Sequence, residues 1–280
     1  MMEFREIQAA EAPLLSALSD AVGWNNAPAE CRLLTETPSM RAIFAVVDGE
    51  IAGSAGMVAY EPGLLVFINL VIVKPEFRHR GIATRMIEHI LERYRGFRTF
   101  KLHATPEGGK VYEKLGFATR RTISFFTADR PDFGTAPDPA VAIRPLRREE
   151  LPECVARDRS CFGAERRALL EFNYREHPEL ALAAEDGRGF ILGRRWKKYR
   201  HLSCLEADGL ATATALTARA AALDASQTLS IITYDSQCEF QQVLRQAGFA
   251  RVRDMIDMEL GEPGFPPPAG YFAIYGGDMG

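Results

Sequence analysis

The second half of this 280-residue chain repeats the pattern of its first half. Three features recur in the same order: an opening strand-to-helix pattern (residues 4–6 and 143–151), a hairpin turn (48–49 and 185–187) and a Gly-Phe-Ala end (116–118 and 248–250). Such self-similarity is typical of duplicated structural units, and the length suits two modest cores better than one large core. We therefore expect two copies of one fold in tandem.

The apolar periodicity of the first copy predicts an α/β fold with a mixed (α+β) sheet. Helices are expected over residues 11–22, 29–34, 82–94 and 110–115, a turn over 105–109, and strands over 4–7, 42–47, 51–60, 64–73, 101–104 and 121–127. Residues 129–139 are rich in Pro, Gly and Asp, which indicates a linker. The predicted organisation is a first domain over 1–130, a linker over 131–140 and a second domain over 141–280.

Composition excludes several classes of protein. The net charge of −3 argues against a general nucleic-acid or membrane-surface protein. The five cysteines are scattered and odd in number, which fits a reducing compartment and argues against a disulfide framework or a metal site. The N-terminus lacks an apolar signal core, and no uncharged apolar run approaches the roughly 20 residues that span a bilayer. We expect a cytoplasmic protein that needs no metal.

A loop between a strand and a helix carries the strongest functional signal. Arg78-His79-Arg80-Gly81-Ile82-Ala83 follows the apolar run 64–73 and precedes a helical pattern. A helix N-terminus offers unpaired N–H groups and a partial positive charge, so it attracts phosphate. Gly81 lets the backbone approach a ligand closely, and the small Ala83 does not block it. Read alone, the loop predicts either a phosphate cradle or an ordinary strand-to-helix turn.

A second segment decides between these interpretations. Tyr112-Glu113-Lys114-Leu115-Gly116-Phe117 ends a short helix that follows the strand 101–104. Together the two segments resemble the GNAT acetyltransferase superfamily, in which an R-x-x-G-x-A or G loop holds the pyrophosphate of acetyl-CoA and a Tyr-x-x-x-Gly-Phe helix follows. The resemblance implies that acetyl-CoA is the cosubstrate. The cofactor-binding residues that it implies are Leu70, Val71, Ile72, Val73, Arg78, His79, Arg80, Gly81, Ile82, Ala83, Thr105, Gly108 and Tyr112.

The second copy differs where this chemistry sits. After the strand at 201–205 the chain reads Glu206-Ala207-Asp208-Gly209, without the R-x-x-G-x-A loop, and Leu244 stands where Tyr112 stands in the first copy. We expect the second domain to keep the fold, to lack the cofactor site and to wall the substrate cleft. The arrangement resembles a bacterial tandem, two-domain YitH-like group within the GNAT superfamily, which shares the Gly23-Trp24-Asn25 and Ala273-Ile274-Tyr275-Gly276 segments.

The resemblance implies direct transfer of acetyl to an amine, and three residues are candidates for the catalytic chemistry. Tyr112 is the candidate acid for the departing thiolate, since a phenol is protonated at neutral pH. Period-two alternation places Phe67, Asn69, Val71 and Val73 on one face. Asn69 there could position a water that relays the proton of the amine, or form a structural hydrogen bond. His103 is the alternative base, or a structural histidine.

The acceptor region and one basic run complete the candidates. In this fold the segment with Trp24 and Asn25 caps the acceptor pocket, and Phe125 and Phe126 could join the same wall; the alternative for Trp24 is core packing. Residues 193–201 carry five positive charges and two aromatic side chains. Alone they suggest nucleic acid, but the overall acidity favours a solvated hairpin loop and no nucleic-acid partner.

Three functions remain open at this point. The leading hypothesis is an N-acetyltransferase that acts on a small-molecule amine in a ternary complex, as a monomer or homodimer. The alternatives are a protein or peptide N-acetyltransferase and a non-catalytic acyl-CoA sensor. The loop Arg78–Ala83 supports all three functions, whereas Tyr112 favours the enzymes.

Overall fold

The computed structural model describes residues 1–24, 26–61, 63–134, 141–224, 226–263 and 269–279. The elements of the first half are β1 (Met2–Glu6), α1 (Ala12–Ala21), α2 (Pro28–Glu36), β2 (Met40–Val47), β3 (Glu50–Tyr60), β4 (Leu65–Val73), α3 (Ile82–Arg93), β5 (Thr99–Ala104), α4 (Pro106–Lys114) and β6 (Ala118–Ala128). The predicted helices and strands of this half are present, with ends shifted by a few residues.

The second half contains the same succession of elements. They are β7 (Ile143–Pro145), α5 (Leu151–Phe162), α6 (Arg167–Glu176), β8 (Leu182–Ala184), β9 (Gly189–Arg195), β10 (Arg200–Ala207), α7 (Leu210–Ala221), β11 (Leu229–Tyr234), α8 (Cys238–Gln246), β12 (Ala250–Gly261) and β13 (Tyr271–Ala273). The predicted repeat of a mixed α/β fold is therefore confirmed. Short β13 is an addition that has no counterpart in the predicted first copy.

The described residues form two compact units. The first unit contains residues 1–120 together with the segment that begins at Ile256, and the second contains residues 121–255 together with the last segment up to Asp278. A division of the chain at the predicted linker would assign the segment from Ile256 to the second domain instead. Of that linker, residues 135–140 lie outside the described part of the chain.

The sheet of the first unit runs in the order β1-β2-β3-β4-β5, followed by residues 256–261 of β12. All neighbours are antiparallel except β4 and β5, which are parallel and joined through α3. Helices α3 and α4 pack on one face around Val66, Ile68, Met86 and Leu102. Helices α1 and α2 contact β2, β3 and β4. The strand beside β5 is therefore supplied by the end of the chain.

The second unit has the equivalent sheet. Residues 123–128 of β6 pair with β11, which is followed by β10, β9, β8 and β7. Again one pair is parallel, β10 with β11, and α7 connects its two strands. Phe126, Ile231, Phe240 and Leu244 belong to the core of this unit.

Two local expectations were wrong. Helix α4 begins at Pro106, so residues 106–109 are helical and not part of a turn. The physical reason is the N-cap: the Thr105 hydroxyl accepts a hydrogen bond from the Gly108 N–H at 3.1 Å, and proline suits the first helical turn. These two residues outweigh the low helix propensity of Gly108 and Gly109.

The basic run 193–201 forms a hairpin between β9 and β10, as expected, but most of it is not solvated. Arg194, Arg200 and His201 are buried. The Arg194 guanidinium lies 4.6 Å from the Trp196 ring centroid and donates to Asp278 at 2.8 Å. These cations therefore serve the core of the second unit, because buried guanidinium groups must be paired. Among the described residues, no helix is both long and apolar enough to cross a membrane.

Candidate active site

A β-bulge in β4 shapes the centre of the site. Gly56 pairs with Asn69 and Ser54 pairs with Ile72, so Leu70 and Val71 together face a single residue of β3. Leu70 has a φ of +45°, and the Ser54 hydroxyl donates to its carbonyl at 3.1 Å. The extra residue corrects the predicted alternation: beyond Leu70, it is Ile72 and not Val71 that shares a face with Asn69.

The parallel strands β4 and β5 separate beyond this bulge. Their pairing runs from Leu65–Thr99 to Ile68–Leu102, whereas β4 continues to Val73 and β5 to Ala104. The result is a fork in which the edge of β4 beyond Ile68 has no pairing with β5. An extended ligand can pair with such an edge as a further strand would.

The loop after β4 brings a helix N-terminus to the same place. Gly81 caps α3 with a φ of +72°, in the left-handed region that favours glycine. The first intrahelical bond of α3 runs from the Arg85 N–H to the Gly81 carbonyl, so the N–H groups of residues 82–84 have no partner within the helix. The Arg78 side chain donates to the Val73 carbonyl at 3.2 Å, which fixes the loop against the end of β4. Unpaired N–H groups at the start of a helix are the kind of donor that attracts phosphate.

One cavity of about 590 Å³ joins these features. Predicted site residues that line it are Trp24, Val71, Ile72, Val73, Arg78, His79, Gly81, Ile82, Ala83, Thr105, Gly108 and Tyr112. Five further residues line it that the sequence did not single out: Val22, Phe77, Thr84, Glu107 and Val111. The Thr105-Pro106 pair signals a helix start and could have revealed Glu107 and Val111.

Several other predicted residues lie elsewhere. Leu70, Arg80, Asn69 and His103 do not line this cavity, and Asn25 lies outside the described residues. Arg80 instead donates to the Glu76 carbonyl within the loop, at 3.2 Å. Phe126 is fully buried in the core of the second unit, as is Phe125 nearby, so its placement gives no support to a role in the acceptor wall.

Tyr112 reaches the cavity from the last turns of α4. Its side chain is buried, and its ring centroid lies 5.9 Å from that of Phe117, which follows Gly116 at the helix end. Burial raises the pKa of the Tyr112 phenol well above its ordinary value near 10. The phenol therefore keeps its proton at neutral pH, as a general acid must.

Asn69 and His103 flank the point at which the fork opens. Asn69 follows Ile68 on β4 and His103 follows Leu102 on β5, directly beyond the last paired residues. Asn69 is 5% exposed, and its amide has no hydrogen-bond partner among the described residues. A Cβ atom on Gly56 would lie 2.0 Å from the Asn69 oxygen, so glycine makes room for this amide. A buried amide without a partner is a place for a water or a ligand.

The His103 side chain lies beside Phe67 and Asp257, on one face of the sheet of the first unit. Its ring meets the Phe67 ring edge-on, with 5.0 Å between the centroids, and its Nε2 lies 3.7 Å from Oδ1 of Asp257. Asp257 belongs to β12 and stands directly opposite His103 in the strand pairing. Because Asp257 is more than 150 residues away in the sequence, nothing in the local pattern could have revealed it.

The second unit has the same fork, but its own chain fills it. Cys204 in β10 has a φ of +46°, at a bulge that matches the one at Leu70, and the β10–β11 pairing ends at Leu202–Ile231. Beyond that point β13 pairs with β10, and the Ile274 N–H donates to the Ile232 carbonyl of β11 at 3.0 Å. In the described part of the chain, β13 thus bridges the two strands and occupies the edge that is open in the first unit.

The second unit also lacks the other parts of the site. Only Asp208 and Gly209 connect β10 to α7, whereas residues 74–81 connect β4 to α3. Gly209 has an extended conformation instead of the left-handed one of Gly81. Leu244, at the position that corresponds to Tyr112, is fully buried and has no proton to donate.

Comparison with known families assigns both halves of the chain to one group. A family profile described as an acetyltransferase (GNAT) domain matches residues 39–119, and a second profile with the same description matches residues 154–276. The first match contains the bulge, the loop and Tyr112. The second match contains β10, α7 and β13.

Individual relatives give the same result. An uncharacterized N-acetyltransferase, YitH of Bacillus subtilis (strain 168), is 29% identical over 125 residues, which make up 45% of this chain and 43% of that protein. The match thus spans less than half of that relative. A putative acetyltransferase of Pyrococcus horikoshii has a similar structure, with a TM-score of 0.82 at 22% identity, over 100% of this chain and 96% of that one.

A second similar structure is a tandem GNAT protein from the clavulanic acid biosynthesis pathway. Its TM-score is 0.67 at 11% identity, over 95% of this chain and 100% of that one. At such low identities the two structures support the fold alone. The tandem arrangement of two GNAT folds, expected from the repeat in the sequence, is confirmed.

Proposed function

We propose that this chain, which belongs to the GNAT superfamily of acetyltransferases and carries two domains of that family, transfers acetyl from acetyl-CoA to the amine of a small molecule. Its class as an acyltransferase (EC 2.3.1.-) follows from the family. The donor, the acceptor and the direct transfer in a ternary complex are the proposal. One observation carries it: a helix N-terminus, a forked strand edge and a buried phenol line one cavity of the first unit.

The residues of this cavity fit acetyl-CoA as a substrate. The N–H groups at the start of α3 and the Arg78 guanidinium are suited to its pyrophosphate. The edge of β4 that faces the fork at residues 71–73 is suited to the pantetheine arm, whose amide groups can pair with the backbone groups that Arg78 does not occupy. The cavity of about 590 Å³ has the size of a small-ligand site, and the arm takes up part of it. The space that remains suits a small acceptor better than a folded protein.

Transfer requires one bond to form and one to break. The amine nitrogen attacks the thioester carbonyl carbon, the C–N bond forms, and the C–S bond then breaks to release CoA. Strand N–H groups near the bulge can donate to the oxyanion. The Tyr112 proton passes to the departing sulfur, and the proton of the ammonium passes either to His103 or to a water that Asn69 holds.

A single functional site is the second part of the proposal. In the first unit the fork between β4 and β5 is open to the cavity, whereas β13 bridges the fork between β10 and β11. The phosphate loop and the phenol are also missing from the second unit. We infer that the second domain keeps the fold without binding acetyl-CoA.

The release of CoA thiol from acetyl-CoA, measured over a panel of amines, amino acids and peptides, tests the proposal. We expect one or more small amines to stimulate release at least tenfold over the amine-free rate. Stimulation by peptides alone would instead support the protein acetyltransferase. Tight binding of acetyl-CoA without stimulation by any amine would contradict an enzyme and support the sensor.

A further inference from the structure

We propose that Asp257 is the positioning carboxylate of His103, and that His103, held in this way, accepts the proton of the attacking amine. The inference deepens the proposed function and rests on it. It assigns a role to a strand that enters the first unit from the far end of the chain, residues 256–261 of β12. Neither residue lines the phosphate end of the site; both belong to the face on which Asn69 lies.

His103 lies at the base of the fork. His103 is the first residue of β5 beyond the last pair with β4, so it lies where the two strands begin to separate. Phe67 contacts its ring, and Phe67 and Asn69 share a face of β4 because the bulge begins only at Leu70. His103 and the unpaired amide of Asn69 therefore flank the base of the fork on the same face.

The register of β5 with β12 brings carboxylates next to His103 and Lys101. His103 stands opposite Asp257, and Lys101 stands opposite Glu259, so each of these two β5 side chains has a carboxylate as its direct cross-strand neighbour. The Asp257 carboxylate is shared: Oδ1 lies 3.7 Å from His103 Nε2, and Oδ2 lies 3.3 Å from Lys101 Nζ. Such contacts often shorten when a substrate binds.

The side chains around Asp257 carry charges of both signs. Two carboxylates, Asp257 and Glu259, face two cations, Lys101 and Arg120, and the Arg120 Nε lies 3.1 Å from Glu259. These charges balance when His103 is neutral, which is the form that accepts a proton. When His103 takes up the proton, the Asp257 carboxylate, whose Oδ1 lies 3.7 Å from Nε2, favours the imidazolium. Phe67 and Asn69 on β4 add no charge.

Asp257 also selects the tautomer of His103. The ring nitrogen that faces a carboxylate carries the proton, as in other carboxylate–histidine pairs. Nε2 faces Asp257, so Nδ1 is the basic nitrogen in the resting enzyme. Asparagine at position 69 cannot take a proton at neutral pH, which leaves it the role of holding a water or the acceptor beside His103.

The test compares the pH dependence of kcat/KM for wild type and variants with one stimulating amine, so that the titration of the acceptor is common to all. We expect His103→Gln to remove the acidic limb. Asp257→Asn should lower the plateau by about 10- to 100-fold and move the acidic limb to lower pH by about one unit, because an imidazole without a neighbouring anion binds its proton less tightly. Asp257→Glu keeps the carboxylate, so its plateau and the midpoint of its acidic limb should lie between those of Asp257→Asn and wild type.

Glu259→Gln is the matched control, since Glu259 neighbours Lys101 and Arg120 and not His103. The acidic limb of this variant should shift less from the wild-type position than the limb of Asp257→Asn. If the acidic limb of Asp257→Asn had the same midpoint as that of wild type, the positioning role of Asp257 would be overturned. A limb that persists in His103→Gln would overturn the proposal as a whole. If no amine stimulates wild type, it is the proposed function that fails, and the two failures are thereby distinguished.

A measurement on the unaltered chain covers the case in which Asp257→Asn does not fold. Nitrogen-15 chemical shifts of labelled histidines, with His103 assigned from the His103→Gln spectrum, report which ring nitrogen carries the proton. We expect the Nε2–H tautomer for His103 at neutral pH. The Nδ1–H tautomer would contradict the role of Asp257.

Discussion

Tyr112 reaches the cavity because of the residue at which α4 begins. Thr105 caps the helix and Pro106 opens it, so Tyr112 falls in the second turn, facing the same cavity as Gly108. The Phe117 ring lies beside it, and burial holds the pKa of the phenol above its ordinary value. A buried, protonated phenol is suited to the transfer of one proton to a leaving thiolate.

The phenol proton can be removed without loss of packing by Tyr112→Phe. We expect kcat to fall by about 10²- to 10³-fold, with little change in the affinity for acetyl-CoA, because the ring remains and only the acid is lost. Tyr94→Phe is the matched control: Tyr94 packs on Phe97 outside the cavity, and its substitution should leave kcat unchanged. A wild-type kcat in Tyr112→Phe would exclude the acid role.

The pH dependence of kcat gives a second test of Tyr112. Because burial raises the pKa of this group, its ionisation should inactivate the enzyme only above about pH 10, the ordinary value of a tyrosine. The rate should therefore show no loss that depends on Tyr112 between neutral pH and that point. A basic limb with a lower midpoint that disappears in Tyr112→Phe would contradict this.

At the scale of elements, the site depends on a bulge, a fork and a helix start. The helices and most strands could be predicted from the sequence, because apolar spacing reports which face of each element is buried. The bulge at Leu70 could not be predicted, because one extra residue in a nearly continuous apolar run such as 64–73 does not change the pattern of apolar residues. Period-two alternation therefore predicts the wrong face for Val71 and Val73.

The start of α3 is tested by Gly81→Ala. A Cβ atom at Gly81 would meet no protein atom within 4 Å, so the effect comes from the backbone alone. A left-handed conformation costs an alanine about 1–2 kcal/mol, which should weaken acetyl-CoA binding by about tenfold as the loop relaxes. Gly96→Ala is the control, because Gly96 is not in the left-handed conformation and an added Cβ atom there has as much room as at Gly81. Equal affinities of the two variants would contradict the role of the loop.

Strand β13 is tested by Phe272→Ala. The Phe272 ring is buried against Phe240 with 5.3 Å between centroids, so its removal should cost about 3–5 kcal/mol of the free energy of unfolding. Thermal unfolding measures this loss. In the fraction that stays folded, the affinity for acetyl-CoA should equal that of wild type, because β13 belongs to the second unit. A large loss of cofactor affinity without a loss of stability would count against this assignment.

At the scale of the molecule, two GNAT folds share one sequence pattern and differ in what fills the fork. The duplication and the loss of the loop could be read from the sequence, since Arg78, Gly81 and Tyr112 have no counterparts in the second half. The exchange of strand partners between the two halves could not be read from the sequence. The strands β6 and β12 both follow a Gly-Phe helix end, and only the pairing shows that β5 takes β12 and β11 takes β6. Asp257 enters the first unit by that route.

Titration calorimetry of the whole chain with acetyl-CoA, without an acceptor, tests the account most directly. We predict one acetyl-CoA bound per chain, at a site whose affinity falls by about tenfold in Gly81→Ala. Two molecules bound per chain, or a single site that is indifferent to Gly81→Ala, would contradict it.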